Sequence, residues 1–172
     1  MYSQLDVMKD AGIAIYAVGV GDKIKEDELK KMASDEFYYT VRNYDSISKI
    51  KKSLLSRICK TTSTDKECHH ASIDLQFVVD ASQSVGQDNF EHAKNFVKSV
   101  TNVFDLRTGA VRVGVITYHT IVDSNAAVLL GATNSLDAFN VETPFFIGCT
   151  HKFWYFFSIT YIHFVAQETR II

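Results

Sequence analysis

The sequence predicts an α/β fold built on a mostly parallel sheet, and two observations carry that expectation. Segments with the pattern of strands alternate along the chain with segments that have the 3.6-residue period of helices, the order that parallel sheets with helical crossovers require. The run Ile13-Ala14-Ile15-Tyr16-Ala17-Val18-Gly19-Val20-Gly21 is continuously apolar and bounded by glycine, which fits a strand buried on both faces.

Each element follows from its local pattern. Tyr2 to Lys9 is a polar helix with Leu5 and Met8 on one face, and Asp10-Ala11-Gly12 supplies a glycine stop. After the first strand, Lys25 to Ala33 is a charged helix that turns Leu29, Met32 and Ala33 inward. Phe37 to Val41 is a short aromatic strand, and Asp45 or Ser46 is expected to cap a helix reaching Cys59. Its apolar positions Ile47, Ile50, Leu54 and Ile58 share one face. Lys60 to His70 is polar and without period, the composition of an exposed linker, which puts a boundary near Cys59 to Ala71.

A second strand begins at Ile73. Asp88-Asn89-Phe90-Glu91 reads as a capping-box variant with Asp88 as N-cap, followed by the helical stripe Phe90, Ala93, Val97, Val100 and Phe104. Val111, Val113 and Val115 alternate in a strand ending near Tyr118, Asp123-Ser124-Asn125 signals a turn, and Ala126 to Leu130 is a short strand. Beyond Val141 aromatics crowd a segment that lacks clear period or caps. A membrane helix needs about 20 consecutive apolar residues. Phe153 to Ala166 is too short for that, and His151, Lys152 and His163 interrupt the apolar run, so no membrane span is expected. The segment 141–172 reads as an atypical aromatic tail, the mark of a misread gene-model end.

Composition narrows the function. A chain of 172 residues with 47% apolar and 22% charged residues can bury a real core. The net charge of −2 gives no basic field for nucleic acid or anionic membrane. Met1 to Asp6 has neither the basic start nor the apolar core of a signal peptide, so the protein is either cytosolic or lacks its true beginning. Three cysteines are an odd count, which in a secreted protein leaves one unpaired or paired elsewhere.

Chemistry concentrates in one place. The run from Ile73 to Gly86 delivers Asp80, Ser82 and Ser84 into a tight turn after a buried strand. Oxygen ligands of this kind suit a hard divalent cation. The blander alternative is that the two hydroxyls bond the turn backbone while Asp80 caps nearby amides. Other constellations are weaker. Cys68-His69-His70 with Cys59 matches no usual zinc spacing. Asp80 could be an aspartyl nucleophile in phosphoryl transfer, but such enzymes carry a second acid two residues on, where this chain has Ser82. Gly19-Val20-Gly21 lacks the third glycine of a dinucleotide loop.

Ile73 to Tyr118, through Asp80-Ala81-Ser82-Gln83-Ser84-Val85-Gly86 and Val111 to Tyr118, resembles the first half of a von Willebrand factor type A (VWA) domain, particularly those of matrilins and type VI collagens. Leu130-Gly131-Ala132-Thr133-Asn134 is similar to the entry to that domain's second helix. Met1 to Cys59, through Lys9 to Asp22 and the terminal helix, resembles the closing half of such a domain. The resemblance implies a doubly wound, Rossmann-like, mostly parallel sheet that is incomplete or permuted here. The implied parts are a closing half at 1–59, a linker at 60–71, an opening half at 72–140 and the tail at 141–172. The central strand that should stand beside Ile73 is absent from both halves, which is expected to leave unpaired backbone, unless the first half packs near the Ile73 strand as a permuted sheet with Phe153 to Phe164 filling the gap.

The resemblance also implies function. Asp80, Ser82 and Ser84 would form a metal-ion-dependent adhesion site for Mg²⁺, Mn²⁺ or Ca²⁺, with an acidic side chain of the partner taking an open position. The partners would be extracellular-matrix proteins such as collagens, and the protein a secreted matrix component and not an enzyme. The family also uses a threonine from a second loop and an aspartate from a third. Thr117, Thr120 and Thr133 lie on the wrong elements and Asp22 follows a different strand, so weak binding is expected. A structural spacer with no working metal site is the alternative, and an aspartyl phosphotransferase a distant one. In tandem members a domain's first and last cysteines bridge, which would give Cys59 and Cys68 partners outside this chain; alternatively the two pair with each other across the linker.

Overall fold

The computed structural model describes residues 2–60, 72–118, 128–132 and 160–168. Helix α1 (Tyr2–Asp10) leads into strand β1 (Ala14–Val20), helix α2 (Glu26–Met32) and strand β2 (Tyr38–Val41). A 3-10 segment (Tyr44–Ile50) then runs into α3 (Lys51–Lys60). The second part holds β3 (Ile73–Asp80), α4 (Gln87–Thr101), β4 (Val111–Tyr118) and β5 (Thr160–Glu168).

The five strands form one sheet in the order β2-β1-β5-β3-β4. β1 pairs with β2 and β3 with β4 in parallel, while β5 is antiparallel to both β1 and β3. All strands but β5 therefore point one way. The α/β class and the mostly parallel sheet are as expected, and the strand order is permuted.

Local chemistry sets the element ends. α1 stops at Gly12, whose φ of 80° suits glycine, and Ile13 N–H reaches back to the Met8 carbonyl at 3.1 Å to close the helix. α2 carries Glu26, Asp27 and Glu28 in its first turn and Lys30 and Lys31 in its last, each sign at the end of the helix dipole that favours it.

Two caps differ from expectation. Asn43, not Asp45 or Ser46, caps the segment before α3, its Oδ1 accepting from Ser46 N–H at 3.1 Å. An N-cap must have extended backbone and reach forward to the first turn; Asn43 meets both conditions, while Asp45 and Ser46 already lie inside the 3-10 turn. Similarly, α4 begins after Gly86, whose φ is 78° and which makes no side-chain cap bond. Asp88 sits inside the first turn, and Glu91 pairs with Lys94 at 2.5 Å instead of reaching back to close a box.

The buried residues of both parts join in one cluster. Tyr16, Val18 and Val20 of β1, with Ile47, Leu54 and Ile58 of the following helices, belong to the same core as Leu75, Phe77 and Val79 of β3 and the α4 stripe Phe90, Ala93, Val97 and Val100. The apolar stripes read from the sequence for α3 and α4 are the ones buried, with Ile50 half-buried at the edge of the core. A smaller cluster of Ala17, Leu29, Met32 and Ala33 seats α2 on the sheet.

Strand β5 is the main departure. The segment 141–172 shows no clear period, and the missing central strand implies either bare edges on β1 and β3 or a permuted sheet with Phe153 to Phe164 in the gap. The structure places Thr160–Glu168 between them, with β1 paired from Ala14 to Val20 and β3 from Ile73 to Val79. Tyr161 to Ala166 is apolar but for His163, so the sequence shows no period-two alternation that would mark a strand there. Of the Ala126–Leu130 strand, Val128 makes an antiparallel bridge with Val115. Residues 61–71 of the 60–71 linker, the Asp123–Asn125 turn and Thr133 and Asn134 of the helix entry read at Leu130 to Asn134 lie outside the described residues. Among the described residues no helix is long and apolar enough to cross a membrane.

Candidate metal centre

β3 carries its ladder one residue past Asp80, where Ala81 N–H donates to the Tyr118 carbonyl at 2.7 Å. The chain then turns sharply. Ala81 and Val85, each 3% exposed, anchor the turn in the core from both sides. Between them Ser82 is half-buried and Ser84 exposed, so the turn offers its hydroxyls outward while its apolar residues hold it down.

The hydrogen bonds fix the shape of the turn. Asp80 Oδ1 accepts from Ser82 N–H at 2.8 Å, the bond by which an Asp side chain mimics a turn of backbone. Val85 N–H donates to the Ser82 carbonyl at 3.0 Å, and Asn89 Nδ2 donates to the Val85 carbonyl at 2.8 Å, tying the turn to the first turn of α4. The Ser82 and Ser84 hydroxyls lie 2.9 Å apart. One carboxylate and two hydroxyls are thus gathered at the carboxyl end of β3, the end where open α/β sheets bind ligands.

Asp80 is buried, and burial pushes its carboxyl above the ordinary aspartate range. Hydrogen bonds from the Ser82 backbone and side chain pull the other way without cancelling the shift. A buried carboxylate without a full partner gains from any cation that reaches it. The donors are all hard oxygens, which fits Mg²⁺, Mn²⁺ or Ca²⁺ and not a soft thiolate-seeking ion. Among the described residues no group of three His, Cys, Asp or Glu side chains could hold a metal.

The other sequence candidates separate from this loop. Thr117 is buried in β4 opposite Val79, inside the sheet and short of its end. Asp22 is exposed beyond β1, with β5 between that strand and β3. Thr120 and Thr133 lie outside the described residues. Cys59 is disulfide-bonded; Cys68 also lies outside the described residues. Sequence reasoning missed Asn89 as the latch between loop and helix. Its signal was present, since an Asn four residues after Val85 in a helix can reach that carbonyl.

The loop, its strand and its helix occur together in known proteins. The model of the von Willebrand factor type A domain matches residues 3–53 and 74–136, well over half of the chain. The collagen alpha-4(VI) chain of Mus musculus is 34% identical over 125 residues, covering 66% of this chain and 5% of that one. The von Willebrand factor A domain-containing protein 2 of Mus musculus is 33% identical over 103 residues, 59% of this chain and 13% of that protein. Vitrin of Bos taurus is 28% identical over 124 residues, 64% of this chain and 19% of that protein. This chain thus spans a small part of the relatives it matches. Among solved structures, proximal thread matrix protein 1 from the mussel byssus, described with a zinc-occupied MIDAS motif, aligns over 81% of this chain and 35% of its own at 22% identity and a TM-score of 0.37. With two matched blocks, a parallel α/β sheet and the Asp80 loop at a strand's carboxyl end, this chain belongs to the von Willebrand factor type A family.

Proposed function

We propose that this chain is a protein-binding module of an extracellular-matrix or adhesion protein, in which Asp80, Ser82 and Ser84 hold a weakly bound divalent cation for the partner. The observation that carries this reading is the buried Asp80 carboxylate beside two hydroxyls 2.9 Å apart at the carboxyl end of β3. When bound, a cation such as Mg²⁺, Mn²⁺ or Ca²⁺ supplies a positive centre to which an acidic side chain of a matrix protein can be attracted. The protein's part is to keep three oxygens together: Asp80 contributes charge, Ser82 and Ser84 neutral donors, and the apolar anchors Ala81 and Val85 hold the turn. Membership of a family whose relatives here include type VI collagen chains and vitrin supports a secreted, matrix setting and partners such as collagens. The same relatives give no support to an enzymatic activity.

We also propose that residues 1–59 and 72–140 descend from the closing and opening halves of such domains, joined at 60–71. The two separate matched blocks support this.

A second reading has its own observation. The Ser82 and Ser84 hydroxyls bond each other and Asp80 is met by Ser82 N–H, so the turn is satisfied without any ion. On that reading the chain is a structural spacer or assembly unit. Binding to immobilised collagens and other matrix proteins decides between them. The module reading expects binding in Mg²⁺ or Mn²⁺ that is lost with chelator and with Asp80→Ala; binding indifferent to both favours the spacer.

A further inference from the structure

The net charge of −2 hides a division. Residues 42–60 hold six lysines and arginines against one acid, Asp45, so the acidic surplus lies entirely in the rest of the chain. The two helices that flank β1 show how these charges are arranged. Side chains of a strand point alternately to the two faces of its sheet. Tyr16, Val18 and Val20 belong to the core that also takes in Leu54 and Ile58 of α3, while Ala17 packs with Leu29 and Met32 of α2, so α3 and α2 cover opposite faces. On the α2 face cations are matched by acids. Lys25 lies 3.1 Å from Glu28, and Lys30 2.9 Å from Glu26.

On the α3 face they are not. Ile47, Leu54 and Ile58 are buried, which leaves Lys49, Lys52, Ser53 and Ser56 exposed on the outward side. Lys49 is three and four residues from Lys52 and Ser53, and Ser56 four and three from the same pair, the spacings that make helical residues neighbours. Lys51 stands half-buried beside them. Asp45, the one acid of the stretch, meets His92 of α4 at 3.2 Å. Among the described residues Lys49, Lys51 and Lys52 have no carboxylate partner.

Three ammonium groups beside two hydroxyls, on a helix seated in the core, suit a polyanion whose charges repeat along its length. We propose that the outward face of the 3-10 segment and α3 binds a sulfated polysaccharide, with Lys49, Lys51 and Lys52 pairing with sulfates and Ser53 and Ser56 donating to sulfate oxygens. The choice of polyanion rests on the matrix setting proposed above. The surface itself stands apart from the Asp80 loop and needs no cation.

Binding of the full chain to immobilised heparin, with circular dichroism to verify folding, tests the assignment. The parent should bind at physiological ionic strength and be released as salt is raised, because salt screens exposed charges. Lys49→Gln, Lys51→Gln and Lys52→Gln together keep good helix formers and should weaken binding by about tenfold or more. The matching triple replacement by Arg should bind like the parent, since it keeps every charge. The control removes as many charges on the opposite face: Lys23→Gln, Lys25→Gln and Lys30→Gln together should leave the affinity close to the parent's. Chelator and Asp80→Ala should also change nothing.

Equal weakening by the two glutamine triples would reduce the effect to net charge and overturn the proposal. So would a parent that does not bind heparin, or one that binds phosphatidylserine vesicles more tightly than heparin. Loss of heparin binding with chelator or with Asp80→Ala would place the polyanion at the cation site and overturn it as well. Failure of the cation reading shows elsewhere, as collagen binding indifferent to chelator, and leaves the heparin result unchanged.

Discussion

β1 and β3 hold equivalent positions and do different work. Both flank β5, both run in the same direction and both lead into a helix. β1 is apolar along its length and buried at every position after Ala14. Its carboxyl end is closed by two apolar side chains, since Ile24 and Leu29 lie within 2.9 Å of where a Cβ on Gly19 would stand. β3 alternates buried and half-buried residues and finishes in a buried carboxylate with hydroxyls after it. The sheet supplies two similar platforms, and the few residues after each strand decide which one can bind a ligand.

The widest break in this comparison would be to show that the two strands belong to separate cores. Leu54 of α3 is fully buried in the cluster that also contains Phe77 and Phe90. Leu54→Ala should cost about 2–5 kcal/mol, the usual range for a buried leucine replaced by alanine. Because the core is shared, amide exchange at Val18 of β1 and Phe77 of β3 should accelerate together. Acceleration confined to Val18 would mean that the halves unfold independently.

A smaller effect sharpens the contrast at the strand ends. On Gly19 a Cβ would stand 2.6 Å from Ile24 Cδ1 and 2.9 Å from Leu29 Cδ1. Leu29 is fully buried and has little room to yield. Gly19→Ala should therefore destabilise by about 1–3 kcal/mol through overpacking. Urea unfolding measures it, and a loss below a few tenths would show that the end of β1 is not tightly closed. Since Ile24 and Leu29 lie on the β1 side, Mn²⁺ affinity at the Asp80 loop should not change.

The sequence made most of this contrast legible. Strong periodicity placed β1, β3, α4 and the stripe of α3, because burial on one face leaves a repeating trace in the order of residues. The Asp80 turn was legible because a strand followed by Asp, Ser and Ser is a local pattern. The caps were not: Asn43 and Gly86 win over Asp45 and Asp88 by where the first helical turn closes, a matter of one or two residues that several candidate side chains could satisfy. β5 was legible only as a gap that Phe153 to Phe164 could fill; its bounds and direction were not, for a different reason. Its place is set by pairing with strands more than 80 residues earlier in the chain, and the edges it fills belong to two distant segments.

The smallest effect tests the charge at the end of β3. Burial raises the Asp80 carboxyl above its ordinary value, so the folded chain holds that proton more tightly than the unfolded chain does. Between the ordinary aspartate range and the raised value the native state therefore carries more protons, and stability falls as pH rises through that window. At neutral pH the ionised carboxylate bears its full cost. Asp80→Asn removes the titration, so without divalent cations it should melt above the parent at pH 7, with the difference closing as pH drops below the ordinary aspartate range. Added Mn²⁺ should reverse the order, because the cation stabilises only the protein that can bind it. Asp22→Asn, at the exposed end of β1, should shift neither curve beyond about 0.5 kcal/mol. A parent more stable than Asp80→Asn at pH 7 without cation would mean that the Ser82 hydrogen bonds outweigh burial, and would make the Asp80 turn as self-sufficient as the end of β1.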